Sequence, residues 1–143
     1  MIVGFTGTQE GMRGAQKFVV ENKLLSFWTP DSWFHHGVCI GADEQAGAIA
    51  RSLGYRLHAH PPINTSKMST IVSDRSEEAG EYLDRNRDIV LACEVLIAAP
   101  ATMRSQVRSG TWSTWRYAAQ LRKPRLLVLP DGTFRAVGLD TLL

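Results

Sequence analysis

The regular alternation of short apolar runs with helix-length segments constrains the fold of this chain more than any other feature. Five runs have strand length: MIVGFT, WFHHGV, YRLHAHP, EVLIAAPA and RLLVLP. Between the first two, Met12, Ala15, Phe18, Val19 and Leu25 recur at helical spacing, and three further helical segments follow. Strands that alternate with helices form βαβ units. The sequence therefore predicts an α/β fold, a Rossmann-like three-layer sandwich with a mainly parallel five-stranded sheet.

Size and composition limit the classes of protein that this chain can represent. A chain of 143 residues is expected to form a single domain over residues 1–143, and a net charge of +2 without a basic block makes nucleic acid an unlikely partner. No apolar run approaches the length of a membrane span, so no membrane partner is expected. Cys39 and Cys93 lie apart in apolar contexts, which is typical of buried thiols in a reducing compartment. The prediction is a cytoplasmic protein.

Glycine and hydroxyl residues follow three of the predicted strands. In an open α/β sheet, the carboxyl ends of the strands form the ligand crevice, and a helix N-terminus there binds anions through its free N–H groups. Helix capping is the alternative role for Thr8, Asp43 and Ser109. Three such turns at one sheet edge favour a phosphate-bearing ligand. The binding residues predicted in these loops are Gly7, Thr8, Gly41, Ala42, Asp43, Ser109, Gly110, Thr111 and Thr114.

The helix YLDRNRDIVLAC carries a second signal. Tyr82, Ile89 and Cys93 mark its buried face, Asn86 falls on the same stripe, and Arg85 lies beside it. A buried arginine needs a partner. That partner is either a structural one, an acidic residue among 84, 88 and 94, or an anionic ligand in the crevice. The position of this helix, directly before the strand that ends near Ser109, favours the ligand.

The aromatic residues and histidines have less certain roles. Trp112 can stack on a ligand ring, pack in the core or anchor a dimer, and Trp115 favours the core or an interface. His36, at a strand end, is a candidate for the crevice. The other histidines do not complete a recognisable zinc pattern with cysteines or carboxylates, so no metal site is predicted. The long polar segment 61–81 is either a lid over an anionic ligand or a surface loop.

The order of four motifs resembles the SLOG superfamily, which includes the phosphoribohydrolases called Lonely guy and the DNA-processing protein Smf/DprA. The motifs are GFTGT, HHGVCIGAD, DRNRDIV and SGTW, and the resemblance extends over about residues 1–132. It implies a nucleotide-like ligand in the crevice and a homodimer. Arg85 corresponds to an arginine of the phosphoribohydrolases, and Gly110-Thr111 to the Gly-Thr of their PGGxGTxxE loop. At the position of their catalytic glutamate, this chain has Thr114.

Three functions follow from the residues and the resemblance. The first is a binding protein for a nucleotide or a nucleotide-derived phosphorylated ligand, acting as a sensor, carrier or sequestering module without a cofactor. The second is a nucleoside monophosphate N-glycosidase in which another group replaces the missing carboxylate, with Arg85 and Asp43 as candidate catalytic residues. The third is an accessory protein in DNA processing, which the small net charge disfavours.

Overall fold

The computed structural model describes residues 1–142 and contains one sheet flanked by helices on both faces. The strands are β1 (Ile2–Gly7), β2 (Trp33–His36), β3 (Arg56–Ala59), β4 (Arg75–Ser76), β5 (Val95–Ala99), β6 (Arg125–Val128) and β7 (Phe134–Val137). The helices are α1 (Gly14–Phe27), α2 (Ala42–Leu53), α3 (Tyr82–Ala92) and α4 (Gly110–Gln120), followed by the short 3₁₀ helix Leu139–Leu142.

The seven strands lie in the order β4-β3-β2-β1-β5-β6-β7, and only the β6–β7 pair is antiparallel. This confirms the predicted Rossmann-like α/β architecture but corrects the predicted count of five strands. The two additional strands lie at the edges of the sheet. β4 has two exposed residues, and β7 has the pattern FRAV with three exposed residues, so neither produces an apolar run.

The core has two layers because both faces of the central strands are covered. All five residues of β5 are buried, as expected for a parallel strand between helices. One face, with Val3 and Phe5, packs against α1 and α2. The other face, with Leu96, packs against α3 and α4. Within the described residues, no helix combines the length and hydropathy that crossing a bilayer requires.

Helix α1 is rotated relative to the face that its apolar spacing indicated. Its buried residues are Gln16, Val20 and Leu24, whereas Phe18 is 68% exposed and Leu25 is 59% exposed. The buried amide of Gln16 explains this orientation, because it donates hydrogen bonds of 2.9 Å to the backbone carbonyls of Pro100 and Val128. These polar contacts satisfy two carbonyl groups at the ends of central strands.

The central position of β1 determines where a crevice can form. From β1 the chain proceeds to β2 and β3 on one side of the sheet, and later returns to β5 and β6 on the other side. The order of the strands therefore reverses between β1 and β5. In open α/β sheets this reversal separates the loops beyond the carboxyl ends and leaves a crevice.

Candidate functional site

A cavity of about 670 Å³ opens at the carboxyl ends of β1 and β5. This volume falls within the usual range of small-molecule sites, roughly 300–1,000 Å³. All three glycine-containing loops predicted from the sequence reach it, together with α3. The predicted binding residues that line it are Gly7, Thr8, Asp43, Arg85, Asn86, Ser109, Gly110 and Thr111.

Arg85 is the most unusual side chain in this cavity. It is 5% exposed, yet among the described residues no carboxylate oxygen lies within 4.0 Å of its guanidinium. The guanidinium donates to the carbonyl of Gly37 and to the sulfur of Cys39, and it lies over the ring of Tyr82 with 5.2 Å between Cζ and the ring centroid. Its Nε atom has no hydrogen-bond partner. The acidic residues near it in sequence are therefore not its partners.

The absence of a side chain at Gly37 makes room for this arginine. A Cβ atom built on Gly37 would overlap the Nη1 atom of Arg85 and would lie 3.1 Å from Oδ2 of Asp43. Any larger residue at this position must therefore displace the guanidinium. The HHG motif thus has a steric explanation: its glycine admits a buried cation from a neighbouring helix.

Asp43 lines the cavity and also holds the β2–α2 loop. Its Oδ2 atom accepts hydrogen bonds from the backbone N–H groups of Gly37, at 2.9 Å, and Cys39, at 3.4 Å. Burial raises the pKa of Asp43 to about 6, although the nearby charge of Arg85 and these two backbone hydrogen bonds act in the opposite direction. Asp43 does not cap α2, because the residue at the N-cap position is Gly41.

Helix α4 begins at the wall of the cavity. Ser109 is its N-cap, and the hydroxyl accepts a hydrogen bond of 3.2 Å from the backbone N–H of Trp112. The capping role that the sequence left open for Ser109 is therefore present, and Ser109 also lines the cavity with Gly110 and Thr111. The start of an 11-residue helix supplies N–H donors and a partial positive charge at this wall.

Two predicted residues of α4 do not line the cavity. Trp112 is 5% exposed and packs in the core against Ala98 and Leu127, while its indole N–H donates to the Thr102 hydroxyl at 3.0 Å. Thr114 is 3% exposed, and its hydroxyl donates to the Gly110 carbonyl at 2.8 Å. The core alternative is therefore correct for Trp112, and the hydroxyl of Thr114 is engaged within its own helix.

Three further predicted residues support the loops from behind. His36 is fully buried; its Nε2 lies 2.7 Å from the Ser73 hydroxyl, and burial lowers its pKa to about 3. Gly41 has a φ of +83°, and a Cβ there would overlap the backbone carbonyl of Gln9, so this position requires glycine. Ala42 is buried below the first loop, where its N–H donates to the Thr8 carbonyl at 2.9 Å.

Several cavity residues were not predicted from the sequence as binding residues. Glu10 follows the first loop, Tyr82 begins α3, and Arg108 precedes the N-cap of α4. Their neighbours in the sequence carried the recognisable motifs, so a search extended by one or two positions would have included Glu10 and Arg108. Lys67 lies in the segment 61–81, for which the sequence left a lid and a surface loop as alternatives. Among the lining residues, the basic side chains are those of Lys67, Arg85 and Arg108, and the carboxyl groups are those of Glu10 and Asp43.

The polar segment 61–81 runs along the edge of the sheet and contributes one wall of the cavity. Asn64, Ser66 and Lys67 line it. The backbone N–H of Ile40 donates to the Lys67 carbonyl at 2.9 Å, and the Tyr82 hydroxyl donates to the Asn64 carbonyl at 3.2 Å. The segment is thus anchored to the second loop and to α3 while its tip faces the crevice.

The chain shares its fold with known protein structures. No protein-family model and no curated protein sequence matches the chain. Solved structures do match, and their similarity confirms the Rossmann-like α/β fold of the chain.

Three of the similar structures each match most of this chain. The molybdenum cofactor binding protein from the phototrophic bacterium Rippkaea orientalis has a TM-score of 0.68 and 24% identity, over 91% of this chain and 77% of that one. The molybdenum cofactor carrier protein from Chlamydomonas reinhardtii has a TM-score of 0.64 and 22% identity, over 90% of this chain and 75% of that one. DNA processing protein A from Streptococcus pneumoniae has a TM-score of 0.62 and 22% identity, over 86% of this chain but only 48% of that one.

Proposed function

We propose that this chain is a single binding domain that holds a phosphorylated, nucleotide-like small molecule in the crevice between β1 and β5. The observation that carries the proposal is Arg85, a buried guanidinium that lines the cavity without a carboxylate within 4.0 Å among the described residues. A buried charge that makes no close ion pair with an opposite charge costs free energy. An anionic group of a ligand would supply that charge, and arginine binds phosphate oxygens in a bidentate manner.

The remaining cavity residues fit the same kind of ligand. The N-terminus of α4, with Ser109, Gly110 and Thr111, offers backbone donors to a second phosphate oxygen or to a sugar hydroxyl. Lys67 and Arg108 add positive charge at the rim. The side chain of Tyr82 provides an aromatic surface at the other side, where a base can stack. A sensor, a carrier and a sequestering module all require this ability to bind the ligand.

Two of the similar proteins suggest a further ligand to be tested. Both proteins are described as binding or carrying the molybdenum cofactor. This cofactor therefore belongs in the same binding screen as the nucleoside mono-, di- and triphosphates. The role of a carrier is compatible with a site that binds its ligand without altering it.

A thermal-shift screen followed by calorimetry tests the proposal. We expect at least one nucleotide or cofactor to raise the melting temperature, because ligand at 100 times Kd stabilises the native state by about 2.7 kcal/mol. Replacement of Arg85 by Gln removes the buried cation and should weaken binding by about ten- to one-hundred-fold, the value of a charged hydrogen bond of about 1.5–3 kcal/mol.

The matched control for this variant is Arg87→Gln. Arg87 is exposed on the same helix, lies over the ring of Tyr117 and does not line the cavity. The Arg87→Gln variant should bind the ligand with the same affinity as the unmodified protein. Equal binding by the Arg85 and Arg87 variants, or no shift with any of these compounds, would contradict the proposal.

Glycosidic cleavage is the second candidate function, and one observation keeps it under test. Thr114, at the position of the family's catalytic glutamate, has a hydroxyl that is hydrogen-bonded within α4. Two carboxyl groups, those of Glu10 and Asp43, line the cavity instead. Each nucleotide that binds is therefore incubated with the protein and analysed for released base. Release that disappears in Glu10→Gln or Asp43→Asn would assign hydrolysis, whereas binding without release supports a binding module.

A further inference from the structure

A second cluster of polar side chains lies outside the lining of the crevice, on β2 and at the end of β3. His35 on β2 is paired in register with His58 on β3, and His60 follows His58 by two residues. Alternate residues of a strand point to the same face. The three imidazoles are therefore gathered by the sheet itself, which explains why spacing along the sequence did not reveal them as a group.

The three rings are in direct contact. His35 Nδ1 lies 2.8 Å from His60 Nε2, and the ring centroids of His35 and His58 are 4.4 Å apart. One potential ligand atom from each ring can be chosen so that all three lie within 4.8 Å of one another. His35 and His60 are 7% and 5% exposed, so the cluster is held by the surrounding packing.

From this geometry we propose that His35, His58 and His60 bind one divalent transition-metal ion of the Zn²⁺ type. Two nitrogens on one Zn²⁺ ion lie about 3.3 Å apart when each bond is about 2.0 Å. Two of the three ring pairs are stacked, so binding requires the rings to rotate until their nitrogen atoms face a common point. Neutral imidazole is a preferred ligand of such ions.

The surroundings of the cluster match those of metal-binding histidines. Oε1 of Glu77 lies 2.9 Å from Nε2 of His58, and a carboxylate in this position typically orients a metal-binding imidazole. A cavity of about 670 Å³ beside His60 is lined by Glu77, Glu78 and Asp88. Its acidic lining attracts a cation. The cavity also gives a fourth ligand, such as water, access to the ion.

Nearby cations do not occupy the cluster. Arg75, whose strand position is paired with His58, has its guanidinium over the ring of Trp33 at 5.0 Å. The fourth histidine, His36, lies on the opposite face of β2, against Phe34. This cavity and the crevice cavity share no lining residue, so different side chains form the two proposed sites.

Titration of tag-free, metal-depleted protein with Zn²⁺ and Co²⁺ tests the inference. We expect one ion per chain by native mass spectrometry and calorimetry. The Co²⁺ form should show visible d–d bands typical of nitrogen and oxygen ligands, without thiolate-to-metal charge transfer. This spectrum is recorded on the unmodified protein and therefore does not depend on whether any variant folds.

Two histidine variants form a matched pair. His58→Gln removes the most exposed ring of the cluster and should weaken Zn²⁺ binding at least ten-fold, while nucleotide binding is retained. His36→Gln removes the histidine outside the cluster and should leave Zn²⁺ affinity unchanged. Absence of a bound equivalent at micromolar Zn²⁺, a thiolate charge-transfer band, or equal affinity in the His58 variant would overturn the inference.

Discussion

A single hydrogen atom at Gly37 allows the Arg85 guanidinium to lie in the crevice. We predict that Gly37→Ala folds but weakens ligand binding by about ten-fold, or 1.4 kcal/mol, because the added methyl group displaces the guanidinium from its place beside the Gly37 carbonyl. The backbone of Gly37 lies outside the left-handed region, so the cost is steric. Calorimetry with the ligand identified by the screen measures the change.

A second glycine provides the control for this prediction. A Cβ atom on Gly14, at the start of α1, would meet no heavy atom within 4 Å. Gly14→Ala should therefore keep the full ligand affinity and leave stability unchanged or slightly improved. If both variants bind equally well, Gly37 does not set the position of Arg85.

The buried carboxyl of Asp43 makes stability depend on pH. Burial raises its pKa to about 6, from 3.8 when unfolded, against the opposing charge of Arg85; Cys39 is the other titratable group beside it. The folded state therefore binds the proton more tightly than the unfolded state. Its contribution to stability is complete below about pH 4 and is lost as the pH rises through 6.

Asp43→Asn isolates this contribution, because the neutral amide resembles the protonated carboxyl. Urea unfolding of both proteins at pH 4 and pH 7.5 gives the difference in the free energy of unfolding. We expect the unmodified protein, relative to the variant, to be about 2–3 kcal/mol less stable at pH 7.5 than at pH 4. A difference that does not change with pH would show that Asp43 titrates normally.

At the scale of elements, the start of α4 combines a structural role with a binding role. Replacement of the N-cap Ser109 by Ala removes the acceptor for the Trp112 N–H, and should lower the free energy of unfolding by about 1 kcal/mol. Ser113→Ala, in the first turns of the same helix, is the control and should be nearly neutral. Urea denaturation of the two variants shows whether the cap contributes as expected.

The elements that the sequence predicted well are those with strong apolar patterns. β1, β5 and β6 are buried runs, and α2 is bounded by Gly41 and Gly54, both at positive φ. The weak edge strands carry no such pattern. The apolar spacing of α1 does not give its buried face, because Gln16 occupies that face and the carbonyls that its amide contacts are distant in sequence.

The candidate site likewise contains residues that the sequence predicts and a residue environment that it does not. Loop residues such as Gly7 and Gly110 were accessible from sequence, because strand ends and helix starts meet at one edge of a parallel sheet. The environment of Arg85 was not, since neither the Gly37 carbonyl nor the Cys39 sulfur is near it in sequence. Trp112 was ambiguous for a related reason: its first-turn position does not reveal which way the indole faces.

At the scale of the whole molecule, the surface contains one apolar region that the fold leaves open. Phe18 on α1 and Phe134 on β7 are 68% and 50% exposed, and both line a depression with Ala15 and Val19. β7 is also one of the two edge strands of the sheet. Exposed edges and apolar patches favour pairing with another chain. The homodimer implied by the resemblance would use this surface.

We therefore predict a molecular mass of about twice 15.9 kDa in light scattering or sedimentation. Phe18→Asp should shift the protein to the monomer, because it places a charge in the apolar contact. Leu83→Asp is the control, since Leu83 is exposed on α3, away from this surface. A monomeric native protein, or a dimer that persists in the Phe18 variant, would contradict the predicted dimer surface.

One backbone oxygen joins two loops of the crevice. The Thr8 carbonyl accepts the N–H of Gly11 at 3.2 Å and that of Ala42 at 2.9 Å, and Gly41 lies against it without a side chain. The first loop and the start of α2 are thus coupled mechanically. Any widening of the entrance that separates them breaks the hydrogen bond between Ala42 and Thr8, and separating the wall formed by segment 64–67 from the second loop breaks the one between Ile40 and Lys67.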